Sequence, residues 1–461
     1  MKTSYYDTDD LITALATPWG ESALAVVRTS GQGCIDAIAK CFLRPKKLIK
    51  AESGTLLHDF FIDPETREHL DEIVAAVYRA PSGYTGQESV ELFCHGSLPG
   101  IQRILETLHA AGFRDARPGE FTLRAFMNGK FDLTSAEAVQ EIVSAKSKKA
   151  QALALGRLSG NLFNEIDTIK HELVTILSMI EVQLDYAEDD IEETIELPVG
   201  QMQALGKKIE ELASTYSTGK LYSEGARIVL AGRTNSGKSS LFNLFLKEDR
   251  SIVSDIHGTT RDYIESWVTI QGIPVKLFDT AGYRESKDSI EEEGIRRSAK
   301  VAEAADLILY LLDGSLGITE ENKNDIKLLS LSLAGETEII LVWNKSDIAS
   351  NKPPADSIPV SSVSGAGFGL LEQTICKKLL GPGVPVSQDA EIMIDSLRQK
   401  ELLDRAAESL LAAVKTLGDK MPLDVTAPEV SDAIDALGEL TGEITSADIL
   451  DRVFSGFCVG K

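Results

Sequence analysis

An apolar strand pattern at residues 227–231 runs directly into Gly-Arg-Thr-Asn-Ser-Gly-Lys-Ser at 232–239, and a helical pattern follows from Ser240. This is G-x-x-x-x-G-K-[ST] in strand–loop–helix order, which commits this stretch to an α/β unit built around a phosphate-binding loop. Gly232 and Gly237 let backbone N–H groups turn inward around phosphates, and the helix N-terminus adds its partial positive charge. Asn235, Ser236 and Ser240 line the same loop, Lys238 is expected to reach the β- and γ-phosphates, and Ser239 to bind Mg²⁺.

Two more strand ends complete a nucleotide site. The strand at 275–278 leads into Asp279, Thr280, Ala281 and Gly282. An acid at that strand end is the expected outer partner of Mg²⁺. Gly282 can give its N–H to the γ-phosphate and free the next loop when that phosphate leaves. Between the two motifs lie Ser254, Asp255, Ile256 and His257, then Gly258, Thr259 and Thr260, with Thr260 expected to complete the Mg²⁺ shell. The strand at 338–343 ends in Asn344, Lys345, Ser346 and Asp347. Guanine presents adjacent donors at N1 and its 2-amino group; one carboxylate, Asp347, can accept both, and adenine cannot match that pattern. The expected nucleotide is therefore GTP, with Lys345 along the base, Asn344 tying this loop to the phosphate loop, and Ser361 and Ser362 in a final base-contact loop.

The residue after Gly282 is Tyr283, where many small GTPases carry a water-orienting glutamine. Transition-state charge must then be met otherwise. Asn235 holding a monovalent cation, Arg261 or Arg284 as a finger, and Glu291 acting through a bridging water are the alternatives.

The remaining chain sets limits. Its 461 residues exceed one ordinary core, and the composition is that of a soluble globular protein. The net charge of −24 makes it a poor coat for nucleic acid, so an RNA role requires a local basic patch or a basic partner. Five cysteines in no zinc spacing fit a reduced, cytoplasmic setting, and neither a secretory signal nor a membrane-spanning run is legible. Residues 1–125 mix strand and helix patterns. Leu162, Ile166, Ile169, Leu173, Ile176, Ile180 and Leu184 form one apolar stripe of a long helix within a proline-free stretch, and an acidic run at 188–193 is expected to end it. Helical patterns return near residue 391. The predicted class is α/β plus α: an N-terminal α+β domain at 1–125, a discontinuous helical domain at 126–224 and 384–461, and an inserted Ras-like P-loop G domain at 225–383.

With these residues in view, the chain resembles the tRNA modification GTPase family MnmE, also called TrmE. The resemblance runs end to end. It includes Ala16-Thr17-Pro18, Val27 to Gly31, Tyr84-Thr85-Gly86, and Ala-Arg-Pro-Gly-Glu-Phe-Thr-Leu-Arg-Ala-Phe-Met-Asn-Gly-Lys-Phe-Asp-Leu at 116–133. The G-domain motifs follow, then Cys458-Val459-Gly460-Lys461 at the end. The resemblance implies an N-terminal domain that dimerises and binds a 5-formyl-tetrahydrofolate-type donor through Arg28, Glu91, Lys130 and Lys461. It implies work with a flavin-dependent partner, MnmG, to place an aminomethyl-type group on carbon 5 of the wobble uridine of certain tRNAs. It implies hydrolysis activated by K⁺ when two G domains meet, with Asn235, Ser254, Ile256 and Thr259 as ligands and Glu291 orienting water. Cys458 is open between nucleophile and packed residue. The chain departs from the family at Trp19 to Ala23 and at His257. A ribosome-assembly or signalling switch would share the G domain but calls for a basic RNA-binding appendage, which the sequence lacks. A non-hydrolysing scaffold is opposed by the retained Ser239, Thr260 and Asp279.

Overall fold

The computed structural model describes residues 8–185, 197–248, 264–279, 305–332, 337–381 and 392–461. Contacts divide the chain into two units, one of Met1–Val143, Gly156–Gly206 and Arg405–Lys461, the other of Ser144–Leu155 and Lys207–Asp404.

The first unit is built on a sheet of β1 (Ile12–Leu15), β2 (Ser22–Ser30), β3 (Thr55–Ile62), β4 (His69–Tyr78), β5 (Ser89–Gly96) and β6 (Arg114–Asp115), in the order β3-β4-β5-β2-β1-β6. All neighbours are antiparallel except β1 and β6. Alternation decides the faces: along β3, Leu57 and Phe61 are buried while Leu56 and His58 are exposed. The buried face packs on Ile35, Ile38, Ile101, Ile104 and Leu108 of helices Cys34–Ala39 and Leu98–Ala110. The β2–β5 register sets Arg28 opposite Glu91.

Helices Leu133–Ser144 and Asn161–Asp185 continue this unit. Gly160, at φ +86°, separates the latter from the helix Lys148–Leu158, so the proline-free stretch is several helices. Leu162, Ile166, Ile169, Leu173, Ile176 and Ile180 are buried, and Asn161–Asp185 packs against Leu423–Thr441. The expected last member of the stripe, Leu184, is 44% exposed one residue before the helix end, so the buried face stops at Ile180. The acidic run 188–193 lies outside the described residues.

A buried ion network fixes the helix Glu120–Met127. Arg124 is fully buried; its Nη2 donates to Asp10 Oδ1 and, at 2.8 Å, to Glu120 Oε1. Arg114 grips the same Glu120 through Nη1 at 2.8 Å and Nη2 at 2.6 Å. Burial alone would raise the Glu120 carboxyl, but the Arg114 hydrogen bonds, the Arg117 N–H and Arg124 outweigh it and hold the pKa at about 2.

The second unit contains β7 (Ala226–Gly232), β8 (Ile264–Ile270), β9 (Ile273–Asp279), β10 (Leu307–Asp313), β11 (Glu338–Asn344) and β12 (Ser357–Pro359), in the order β12-β11-β10-β7-β9-β8. Every pairing is parallel except the β8–β9 hairpin. The central β10 is buried from Leu307 to Leu312 because both faces are covered. Leu307, Leu309 and Leu311 pack with Leu241 and Phe245 of helix Lys238–Glu248 and Leu371 of helix Phe368–Leu380. Ile308, Tyr310 and Leu312 pack with Leu329 of helix Glu320–Ser332. The phosphate loop, Asp279 and Asn344 all follow carboxyl ends of parallel strands, which brings three distant motifs to one edge. Among the described residues no helix is long and apolar enough to cross a membrane.

Because Glu120 titrates lower in the folded chain than its ordinary 4.5, its contribution is complete above that value and is lost as pH falls through about 2. The shift corresponds to about 3 kcal/mol at pH 7, falling to about half by pH 3. In urea unfolding, Glu120→Gln is expected to lose about 3 kcal/mol at pH 7 and markedly less at pH 3; a pH-independent loss would refute this assignment.

Candidate functional site

The phosphate loop is shaped by close approaches. Gly232 has φ +133°, and a Cβ there would stand 2.6 Å from the Leu311 carbonyl oxygen. Gly237 has φ +94°, and a Cβ there would stand 2.0 Å from Asn344 Nδ2. Asn235 is also left-handed, at φ +64°. Lys238 is nearly buried, and its Nζ donates to the Gly232 carbonyl at 2.7 Å and the Arg233 carbonyl at 2.8 Å. Two of its three N–H groups are thus held by the loop it closes. Burial pushes the Lys238 ammonium down, opposed by the Asp279 carboxylate.

Ser239 Oγ donates to Asp279 Oδ2 at 2.9 Å, which joins the first turn of the phosphate-loop helix to the end of β9. Asp279 is 2% exposed. A hydroxyl and a carboxylate side by side are hard oxygen donors of the kind Mg²⁺ takes, so these residues fit that ion. Among the described residues, buried Ser236 Oγ has no hydrogen-bond partner, leaving a polar atom for a ligand inside the loop.

The base-reading loop is tied to the phosphate loop by one buried side chain. Asn344 Nδ2 donates to the Ser236 carbonyl at 2.8 Å. Its Oδ1 accepts from the Ser362 N–H at 3.2 Å and the Ser362 hydroxyl at 2.7 Å. The Ser361 N–H bonds to the Ala366 carbonyl at 2.9 Å. Lys345, left-handed at φ +59°, donates to Asp313 Oδ2 at 2.6 Å. Asp313 was missed in the sequence; the signal was an acid closing β10 in register with Asn344. Burial would raise the Asp313 carboxyl, but Lys345 and Ser315 hold it below its ordinary value. Asp347 is exposed at the mouth of this loop.

Ser239, Asp279, Lys238, Asn344 and Ser362 are therefore brought together. Ser254, Asp255, Ile256, His257, Gly258, Thr259, Thr260 and Arg261 lie outside the described residues. So do Thr280, Ala281, Gly282, Tyr283, Arg284 and Glu291.

A separate cluster forms in the first unit. Arg28 Nε donates to Glu91 Oε1 at 2.8 Å and Nη1 to the Gly460 carbonyl at 3.1 Å. Its guanidinium lies 5.3 Å from the Tyr84 ring centre and 5.5 Å from that of Phe121. The Phe121 N–H bonds to the Lys461 carbonyl at 3.2 Å, and the Gly119 N–H to the Cys458 carbonyl at 3.4 Å. The C-terminal residues are thereby stitched beside Arg28. Burial lowers the Lys461 ammonium, with Cys458 opposing. Cys458 is exposed. Lys130 Nζ bonds instead to the Pro81 carbonyl at 3.1 Å, at the start of the loop that carries Tyr84. Tyr84 and Phe121, which flank Arg28, were not singled out from sequence; both stand in the strings that carried the family resemblance. A cation close to two aromatic rings, with a carboxylate beside it, suits a ligand that combines aryl rings and carboxylates.

Comparison with known proteins agrees along the length. The family model described as MnmE helical domain matches residues 133–458, and that described as GTP-binding protein TrmE N-terminus matches residues 11–130. A Treponema denticola protein called tRNA modification GTPase MnmE is 41% identical over 100% of both chains. A Borrelia recurrentis protein of the same name is 40% identical over 99% of each. Among solved structures, the G domain of the T. maritima FeoB iron transporter is 24% identical, covers 33% of this chain and 98% of its own, and gives a TM-score of 0.27.

Removing the Asn344 amide would strand the Ser236 carbonyl and the Ser362 donors. Asn344→Ala is expected to lower the unfolding free energy by about 1–3 kcal/mol. Unfolding of the purified chain in urea measures this; an unchanged midpoint would show that the two loops hold without the tie.

Proposed function

The chain belongs to the tRNA modification GTPase MnmE family, and we propose that it hydrolyses GTP in the modification of the tRNA wobble uridine. With a flavin-dependent MnmG-type partner, it takes part in adding an aminomethyl-type group to carbon 5 of that base in certain tRNAs. The observation that carries this reading is the convergence of Lys238, the Ser239–Asp279 pair and the Asn344 tie at one sheet edge.

In this reading the G domain spans residues 225–383. Lys238 and the phosphate-loop N–H groups bind the β- and γ-phosphates, and Asp347 accepts both guanine donors while Lys345 lies along the base. Ser239 and Thr260 hold Mg²⁺ with Asp279 behind them. Bound Mg²⁺ neutralises charge on the β- and γ-phosphate oxygens. Glu291 orients the water that attacks the γ-phosphorus, and the bond to the β-bridging oxygen breaks. Asn235, Ser254, Ile256 and Thr259 hold K⁺ when two G domains meet, which supplies the positive charge that Tyr283 cannot.

The N-terminal domain, residues 1–125, dimerises and binds a 5-formyl-tetrahydrofolate-type donor with Arg28, Glu91 and Lys461, with Lys130 from the adjoining helical segment. The donor supplies the one-carbon unit. Arg28 orients it by charge and contact with aromatic rings, and the exposed Cys458 lies in the C-terminal segment beside that site. The helical domain, 126–224 and 384–461, links the two sites of this cytoplasmic homodimer.

Two measurements test the reading. Deletion of the gene, followed by mass spectrometry of total tRNA nucleosides, is expected to remove the modified wobble uridine. The parent gene should restore it and Asp279→Ala should not; a full profile in the deletion strain, with no second copy present, would reject the role. GTP hydrolysis is expected to be at least about tenfold faster in KCl than in NaCl at equal ionic strength, since electrostatic stabilisation of this kind is worth about 10²–10³ in rate. Equal rates would remove K⁺ from the mechanism.

A further inference from the structure

We propose that the basic surface around the helix Pro45–Ile49 is where this acidic chain takes hold of an RNA phosphate backbone. The inference rests on the tRNA reading above and adds to it a docking surface.

Residues 40–50 contain Lys40, Arg44, Lys46, Lys47 and Lys50 and no acid, and no other eleven-residue window of the chain carries as many basic residues. They sit in a protein with 71 acidic and 47 basic residues. Carboxylate partners are thus in excess, and the lack of acids here is not a shortage of supply. The fold keeps the charges outward. Leu48 is fully buried and pins the short helix, which leaves Lys46, Lys47 and Lys50 exposed. Lys40 and Arg44 are exposed beside them.

Two arginines stiffen this surface. Arg44 is anchored by the buried Asp59 carboxylate at 3.0 Å and donates to the His58 carbonyl at 3.0 Å. Lys47 donates to that same carbonyl at 3.3 Å, so the two side chains converge. Arg79 reaches in from the end of β4 to the Ile49 carbonyl at 2.5 Å and the Ala51 carbonyl at 2.9 Å. Of these residues, only Arg44 and Arg79 have a carboxylate within 4 Å among the described residues, Asp59 and Glu88.

Lys46 and Lys50 stand four residues apart on one helical turn, where like charges repel by a few tenths of a kcal/mol. Stability gains nothing from this crowding. A polyanion does: each phosphate neutralised releases condensed counterions, and several cations on a fixed base act together. A backbone-tracking contact of this kind positions a substrate without reading its sequence. It also answers the charge problem, since a local basic patch is one of the two ways an acidic chain can approach tRNA, the other being a basic partner.

The test uses the full chain and fluorescein-labelled unfractionated tRNA, titrated by anisotropy across a range of KCl concentrations. The patch variant K46E/K47E/K50E is compared with a scattered control, K352E/K377E/K415E, which has the same net charge. The neutral K46Q/K47Q/K50Q serves as the milder form, and circular dichroism verifies folding of each. The proposal expects the patch variant to bind at least about tenfold more weakly than the parent near 0.1 M salt. Its log–log salt slope should flatten by about two to three, as for three lost phosphate contacts. The scattered control should stay within about twofold of the parent. Equal weakening by both triples would overturn the surface and leave the tRNA reading standing. Absence of tRNA binding by the parent would overturn both. A patch variant that keeps tRNA binding but loses binding to phosphatidylglycerol vesicles would overturn it in favour of a membrane contact.

Discussion

Asn344 donates to the Ser236 carbonyl and accepts from Ser362, and the three loops that would hold a nucleotide share this one buried amide. The constraint is severe. Gly237 lies so close to Asn344 Nδ2 that a side chain at that position would displace the Asn344 amide. The base-reading loop and the phosphate loop are therefore one object. The Ser239–Asp279 bond adds the end of β9 to it. Parallel pairing makes this possible, because it delivers the carboxyl ends of β7, β9 and β11 to the same edge. The same pairing sets Asp313 opposite Asn344, where it can hold Lys345.

The first unit solves a different problem by similar means. A fully buried arginine, Arg124, is sustained by Asp10 and Glu120, and Arg114 pairs with the same two carboxylates. Removal of one member would strand the others, which is why such networks are costly to break. That network holds the helix Glu120–Met127, whose Phe121 has its ring near Arg28 and donates its N–H to the Lys461 carbonyl at the C-terminal end. Structural ions in the interior thus position a more accessible ion pair, Arg28–Glu91, at a site suited to an aromatic carboxylate.

The phosphate loop, the acid that ends β9 and the Asn344 loop were legible because phosphate and guanine chemistry demands particular residues at strand ends. The stripe on Asn161–Asp185 was legible to Ile180 by periodicity alone. Leu184 was not, since a helical period continues in sequence after the covering surface stops. Asp313 escaped notice because an acid at a strand end becomes informative only once strand order sets it opposite Asn344. Tyr84 and Phe121 lie far apart from Arg28 in sequence, and only the fold brings both rings close to the guanidinium. The basic surface at 40–50 was hidden by the overall negative charge, though its residues stood in plain order.

Selective recognition of guanine is the claim on which the functional account stands. Calorimetric titration of GDP and ADP into the purified chain with Mg²⁺ tests it most directly. The account predicts GDP binding and at least about a 10⁴-fold preference over ADP, as for a site that pairs both base donors. Comparable binding of the two nucleotides, or none of either, would contradict it.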